Sequence, residues 1–185
     1  LVKLLAGQVV QSPIYDFKLG HPIEDARTFK LPKRAPVVVM EGIHCLNPKL
    51  TPLIPDQSKF RIFVAPLIQL NVTEFNFISS ARTRLLRRIV RDFRTRGHSV
   101  QSTLKMWPTV RQGEHQFIFP FINTADAILD TSLDYEFSAI KIIAKPLLNA
   151  VPPSDQYYYA ARELINFLSA FDPIPHDNIP TDSLI

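Results

Sequence analysis

Apolar and polar positions along the 185 residues change period several times, and each change marks an element. Leu1 to Ala6 reads as the end of a helix stopped by Gly7, and Gln8 to Phe17 as an extended stretch, because Pro13 forces the residue before it out of the helical region. Thr28 to Leu31 suits a short strand. Pro36 to Met40 is a β-branched run ending at Glu41-Gly42, the pattern of a strand buried on both faces of a parallel sheet. Lys59 to Val64 and Asp126 to Asp130 repeat that form, with Pro48, Pro52 and Pro55 between the first two runs. Ser79 or Ser80 caps a helix reaching about Thr95 and closed by Gly97; a second is expected over Ser99 to Met106, with Pro108 ending or restarting it. Tyr135 to Ala150 and Ser154 to Ala170 predict two more helices, and the proline-bearing stretch from Asp172 a surface strap. Strands alternating with helices predict an α/β fold.

Charge sharpens one element of this picture. The formal net charge of +4 conceals seven arginines and one acid, Asp92, between Arg82 and Arg96, so the rest of the chain is slightly acidic. On a helical wheel Arg84, Arg87, Arg88, Arg91 and Arg94 fall within about 120°, opposite Leu85, Leu86, Ile89, Val90 and Phe93. One acid cannot neutralise such a face through i,i+4 pairs. A solvated face, a grip on a nucleotide's phosphates and a grip on a nucleic-acid backbone all suit it, since guanidinium groups hold phosphates with paired donors. Because the basicity sits in one element, nucleic acid is the weakest of the three.

Other chemistry is sparser. Glu41 stands at the carboxyl end of the expected buried strand, where open α/β sheets place ligands, and is suited either to a magnesium ion or its waters or to capping its own loop. Tyr15 and Phe17 flank Asp16 and suit either a nucleobase or the core. His21, His44 and His98 have no zinc-ligand spacing, and Cys45 lacks an assignable base. The longest apolar run, Ala35 to Met40, is far too short to cross a membrane, and one cysteine with no leader ahead of it points to the cytoplasm. No glycine precedes a lysine, so the phosphate loop GxxxxGK[ST] does not occur in this sequence.

In order and spacing, Pro13-Ile14-Tyr15-Asp16-Phe17, then Val37 to Ile43, then Thr83 to Asp92, then Arg96-Gly97 resemble the uridine kinase and phosphoribulokinase family of P-loop kinases. Glu41 to Thr51, Lys105 to Glu114 and Ile118-Phe119-Pro120-Phe121 resemble its uridine kinase-like branch that often carries a TGS domain. The resemblance implies a P-loop NTPase-like parallel sheet flanked by helices, with residues 1–171 the C-terminal part of a kinase domain, a lid helix around 80–97 and a tail over 172–185. It implies transfer of the ATP γ-phosphoryl group to a nucleoside 5′-hydroxyl, with ATP and Mg²⁺ as cofactors and a nucleoside as partner. Tyr15, Phe17 and His21 would bind the nucleoside, Glu41 the metal, and Arg87, Arg88, Arg91 and Arg96 the ATP phosphates, with Glu41, Arg88 and Arg91 in catalytic roles. Uridine kinases often self-associate, which extends the expectation to a homo-oligomer. The family's phosphate loop and catalytic aspartate precede the matched region, so the chain is expected to be part of a longer kinase, the alternative being a non-catalytic relative. His98 stands where many uridine kinases have a further lid arginine.

Overall fold

Glycine and proline set the first boundaries of the chain. Gly7, at φ +76°, ends helix α1 (Val2–Leu5), and the chain turns into strand β1 (Val10–Asp16). The computed structural model describes residues 1–16, 20–32, 37–68, 71–73 and 76–183. They fall into two units, Leu1–Arg61 with His115–Asp126, and Ile62–Glu114 with Ala127–Ile185.

In the first unit β1 pairs antiparallel with β2 (His21–Phe29), setting Val10 opposite Phe29 and Asp16 opposite His21. The register slips between Ser12 and Ile14, where Pro13 has no N–H to offer the ladder. The extended segments expected around Gln8 and Thr28 are thus one hairpin. The strand expected over Pro36 to Met40 does not form. Pro36 lies outside the described residues, and Val37 to Met40 are irregular, with Val37 and Val39 about 90% and 87% exposed. A β-branched run has high strand propensity only when neighbours cover its faces and pair its edges, and among the described residues nothing pairs with this one. Short 3₁₀ turns follow at Pro48–Leu50, capped by the Asn47 side chain accepting from the Lys49 N–H, and at Asp56–Ser58.

The second unit holds the core. Strand β3 (Ile62–Ala65) is followed by a small antiparallel pair, β4 (Asn71–Thr73) and β5 (Asn76–Phe77). Next come helices α2 (Ser80–Arg91) and α3 (Val100–Phe117), the latter ending in residues of the first unit, then strand β6 (Ala127–Asp130) and helices α4 (Glu136–Asn149) and α5 (Tyr158–Leu168). β3 and β6 pair in parallel, Ile62 to Ala127 through Ala65 to Asp130, so the α/β class expected from the pattern stands. The apolar packing comes from helices rather than strands: Leu86 and Ile89 of α2, Phe137 and Leu148 of α4, and Leu164 and Leu168 of α5 are buried together, with Phe137 edge-on to Phe167 at 5.0 Å. Ile62, Val64, Ile128 and Leu129 of the parallel pair are at least half exposed.

Two boundaries differ from the sequence reading. α3 runs through Pro108 to Phe117 instead of stopping near Met106. Its proline removes one backbone hydrogen bond, while Val100, Thr103 and Leu104 anchor the first turns in the interior. α2 gives way at Asp92–Arg96 to a wide π turn, which carries Phe93 out of the apolar stripe and leaves it half exposed. No helix among the described residues is long and apolar enough to cross a membrane.

Asp130, closing β6, accepts hydrogen bonds at 2.8 Å from the backbone N–H groups of Leu67 and Ser132, and these donors hold its carboxyl below the ordinary value of 3.8. Because the folded state lowers this pKa, the stability it confers is full above the ordinary value and is lost as pH falls through the lowered one. Asp130→Asn should therefore be less stable than the parent at neutral pH, the gap closing as the pH falls below the ordinary carboxyl range. Urea midpoints of both proteins across that range test this; a gap independent of pH would refute it.

Candidate functional site

The site is built on α2. Ser79 caps it, its side chain accepting from the Arg82 N–H at 3.3 Å, and the apolar stripe of Leu85, Leu86 and Ile89 turns into the core. The opposite face therefore presents the arginines. Local pairs alone do not neutralise this face, and acids distant in sequence reach two of its arginines, Arg84 and Arg87.

Three carboxylates, each almost fully buried, take five of the seven arginines. Glu114 of α3, 2% exposed, meets Arg84 Nη1 at 2.7 Å and Arg111 Nη1 at 2.6 Å. Glu136, fully buried in the first turn of α4, is clasped bidentately by Arg87, whose Nε bonds Oε1 and whose Nη2 lies 2.7 Å from Oε2. The same Nη2 donates to the Thr131 carbonyl at 2.6 Å. Arg87, grouped from the sequence with the phosphate-binding arginines, thus has its fork occupied by α4 and the end of β6.

Asp92, also fully buried, is shared by Arg88 (Nε to Oδ2, 3.1 Å), Arg91 (Nη2 to Oδ1, 3.4 Å) and Arg96 (Nη1 to Oδ1, 3.0 Å). The wide turn makes this possible: Gly97, at φ +68°, and His98 both donate backbone N–H groups to the Asp92 carbonyl, returning the chain so that Arg96 faces the carboxylate. Three guanidinium groups thus share one carboxylate. Burial first, then the charge of Arg96, hold the Arg91 guanidinium below its ordinary value, with Asp92 acting in the opposite sense. Arg91 remains cationic, and with a side chain 52% exposed it is the most accessible of the three.

The remaining candidates lie in the first unit. Tyr15 and His21 lie on the two strands of the hairpin, but Tyr15 is opposite Pro22 and Asp16 opposite His21, so strand alternation sets the Tyr15 and His21 side chains on opposite faces. Tyr15 donates its hydroxyl to the Gly20 carbonyl at 2.9 Å, and its ring is half exposed. Phe17 lies outside the described residues. Glu41 is exposed just ahead of a turn in which the Cys45 N–H donates to the Gly42 carbonyl. Burial, and then the charge of Glu41, push the Cys45 thiol above its ordinary value. Among the described residues no three His, Cys, Asp or Glu side chains gather as a metal site. Mg²⁺ needs no such cluster, being bound through one or two carboxylates with water and phosphate oxygens completing its shell, and the hard oxygens of Glu41 fit that use.

Sequence reasoning missed Glu114 and Glu136, although a signal was present. Glu136 stands at i, i+4, i+8 and i+12 with Ile140, Ala144 and Leu148, all buried, and an acid on an apolar stripe demands a cationic partner.

The arginine-bearing helix α2 and its wide turn lie in sequence between the two strands of the parallel pair, β3 and β6. The Phosphoribulokinase / Uridine kinase family model matches residues 1–137, and the chain belongs to that family. It is 30% identical over 146 residues to a uridine kinase of Clostridium perfringens, covering 78% of this chain and 61% of that protein. To a uridine kinase of Ligilactobacillus salivarius it is 33% identical over 132 residues, 70% and 52% of the two lengths. To uridine kinase-like protein 5 of Arabidopsis thaliana it is 30% identical over 142 residues, 76% and 26% of the two lengths. The chain therefore spans between about a quarter and six-tenths of these relatives.

Proposed function

We propose that this chain supplies the nucleoside-binding and lid portions of an ATP-dependent nucleoside kinase that transfers the γ-phosphoryl group to the 5′-hydroxyl of uridine or cytidine in the cytoplasm. In this reading residues 1–171 belong to the kinase domain and 172–185 form its tail. The observation that carries it is the cluster of Arg88, Arg91 and Arg96 around Asp92, with Arg91 half exposed, in a chain of this family. Phosphoryl transfer depends on positioning and on neutralising charge across the phosphate oxygens, so fixed guanidinium donors are the groups it requires. Arg88, Arg91 and Arg96 bind the triphosphate, and Arg87, held by Glu136, fixes the angle of α2. Tyr15, Phe17 and His21 are the residues assigned to the nucleoside in this reading. Glu41 is the residue assigned to Mg²⁺, an ion that a carboxylate oxygen suits. The close pairing of Arg84 and Arg87 with Glu114 and Glu136 removes much of the continuous basic stripe that a nucleic-acid backbone would follow.

The test is ATP consumption by the protein expressed from its complete coding sequence against a panel of nucleosides. Uridine or cytidine should be phosphorylated at the 5′ position. Absence of turnover with every nucleoside would favour a non-catalytic kinase-fold module and reject the proposal.

A further inference from the structure

Asp92 has a part in this arrangement that charge alone does not explain. A carboxylate among three arginines lowers the local positive charge, which on a Coulomb argument weakens any anion site. Yet it is fully buried and lies within 3.4 Å of all three guanidinium groups. Its backbone carbonyl receives the N–H groups of Gly97 and His98 that close the turn. Side chain and main chain of one residue thus fix both the arginines and the fold of the segment bearing Arg96. Long arginine side chains otherwise lose rotamer freedom when they bind, at a cost to affinity for each one immobilised.

We infer that Asp92 is the positioning residue of the cluster: it orders Arg88, Arg91 and Arg96 in advance, so that a polyphosphate meets donors already in place. The ligand class rests on the kinase reading above, whereas the ordering of the arginines stands on the geometry of the cluster. Asp92 touches no phosphate in this scheme and acts only through the guanidinium groups it holds.

The sign of one effect separates this role from simple electrostatics. Asp92→Asn removes the negative charge and makes the cluster one unit more positive. If charge governs, inorganic tripolyphosphate binds the variant more tightly. If positioning governs, it binds about tenfold more weakly, equivalent to about 1.4 kcal/mol. Calorimetric titration of the 185-residue chain with tripolyphosphate reads this, alongside ¹⁵Nε–Hε NMR of the arginines, with circular dichroism to verify the fold. Asp92→Glu is the second variant, keeping the charge while displacing it by one methylene; it should also weaken binding while retaining native circular dichroism. Ordered Arg88 and Arg91 Nε–Hε signals that persist in Asp92→Asn would overturn the positioning role, as would unchanged or tighter tripolyphosphate binding in either variant. Wild-type chain that shows ordered arginines lost in Asp92→Asn, but no tripolyphosphate binding at all, would instead sink the kinase reading and the polyphosphate part of this one, leaving the ordering itself intact.

Discussion

Truncating Arg87 to alanine should cost about 3–5 kcal/mol of folding stability, the range for removing one partner of a buried ion pair. Glu136 is fully buried and α4 keeps it there, so without Arg87 its carboxylate would lose both its counter-charge and two hydrogen bonds. The Thr131 carbonyl would lose a donor as well. A domain of this size has about 5–15 kcal/mol in all, so the loss should be plain as a fall in urea midpoint with the slope unchanged. Arg91→Ala is the internal control: that side chain is 52% exposed and reaches Asp92 only at 3.4 Å, which limits its cost to about 0–1 kcal/mol. Replacing Arg87 and Glu136 together by methionine and leucine should recover most of the loss, because a buried pair is expendable where half of one is not. Equal costs for Arg87→Ala and Arg91→Ala would mean that the Glu136 pair does not fasten α2 to α4.

Arg91, nearly neutral for stability, should weigh heavily when turnover is measured, and Arg88 with it. Arg88→Ala and Arg91→Ala, each made in the protein expressed from its complete coding sequence, should lower kcat/KM for ATP-dependent nucleoside phosphorylation by about 10²–10³, the loss typical of one preorganised donor to developing charge. Asp92 keeps two of its three arginines in either variant, so the fold survives and the lost activity reports on the reaction. Unchanged kcat/KM in both variants would remove these residues from the phosphate site.

Local signals made much of this structure legible. Ser79 and Gly97 bracket α2 and its wide turn as the sequence indicates, and the helical period alone separates the arginine face from the Leu85, Leu86 and Ile89 face. The runs at Ile62 and Ala127 become strands that find each other in parallel. What escaped the sequence depends on contacts remote along the chain. Val37 to Met40 have the composition of a buried strand but no described partner to make them one. Pro108 is accommodated because the turns before it are anchored in the core. The partners of Arg84 and Arg87 lie 30 and 49 positions away, across two helix packings, so a window around the arginines shows surplus charge where the folded molecule has matched pairs.

That matching constrains how the sequence can drift. On an ordinary solvated helix, arginine and lysine exchange freely, but an ammonium cannot reproduce the two-pronged contact Arg87 makes with Glu136. Each acid and its bases are therefore expected to be inherited as a set: Glu136 with Arg87, Glu114 with Arg84 and Arg111, Asp92 with Arg88, Arg91 and Arg96. A lineage that loses one member must soon alter the other, so the helix that looks most interchangeable in its composition is among the least free to vary.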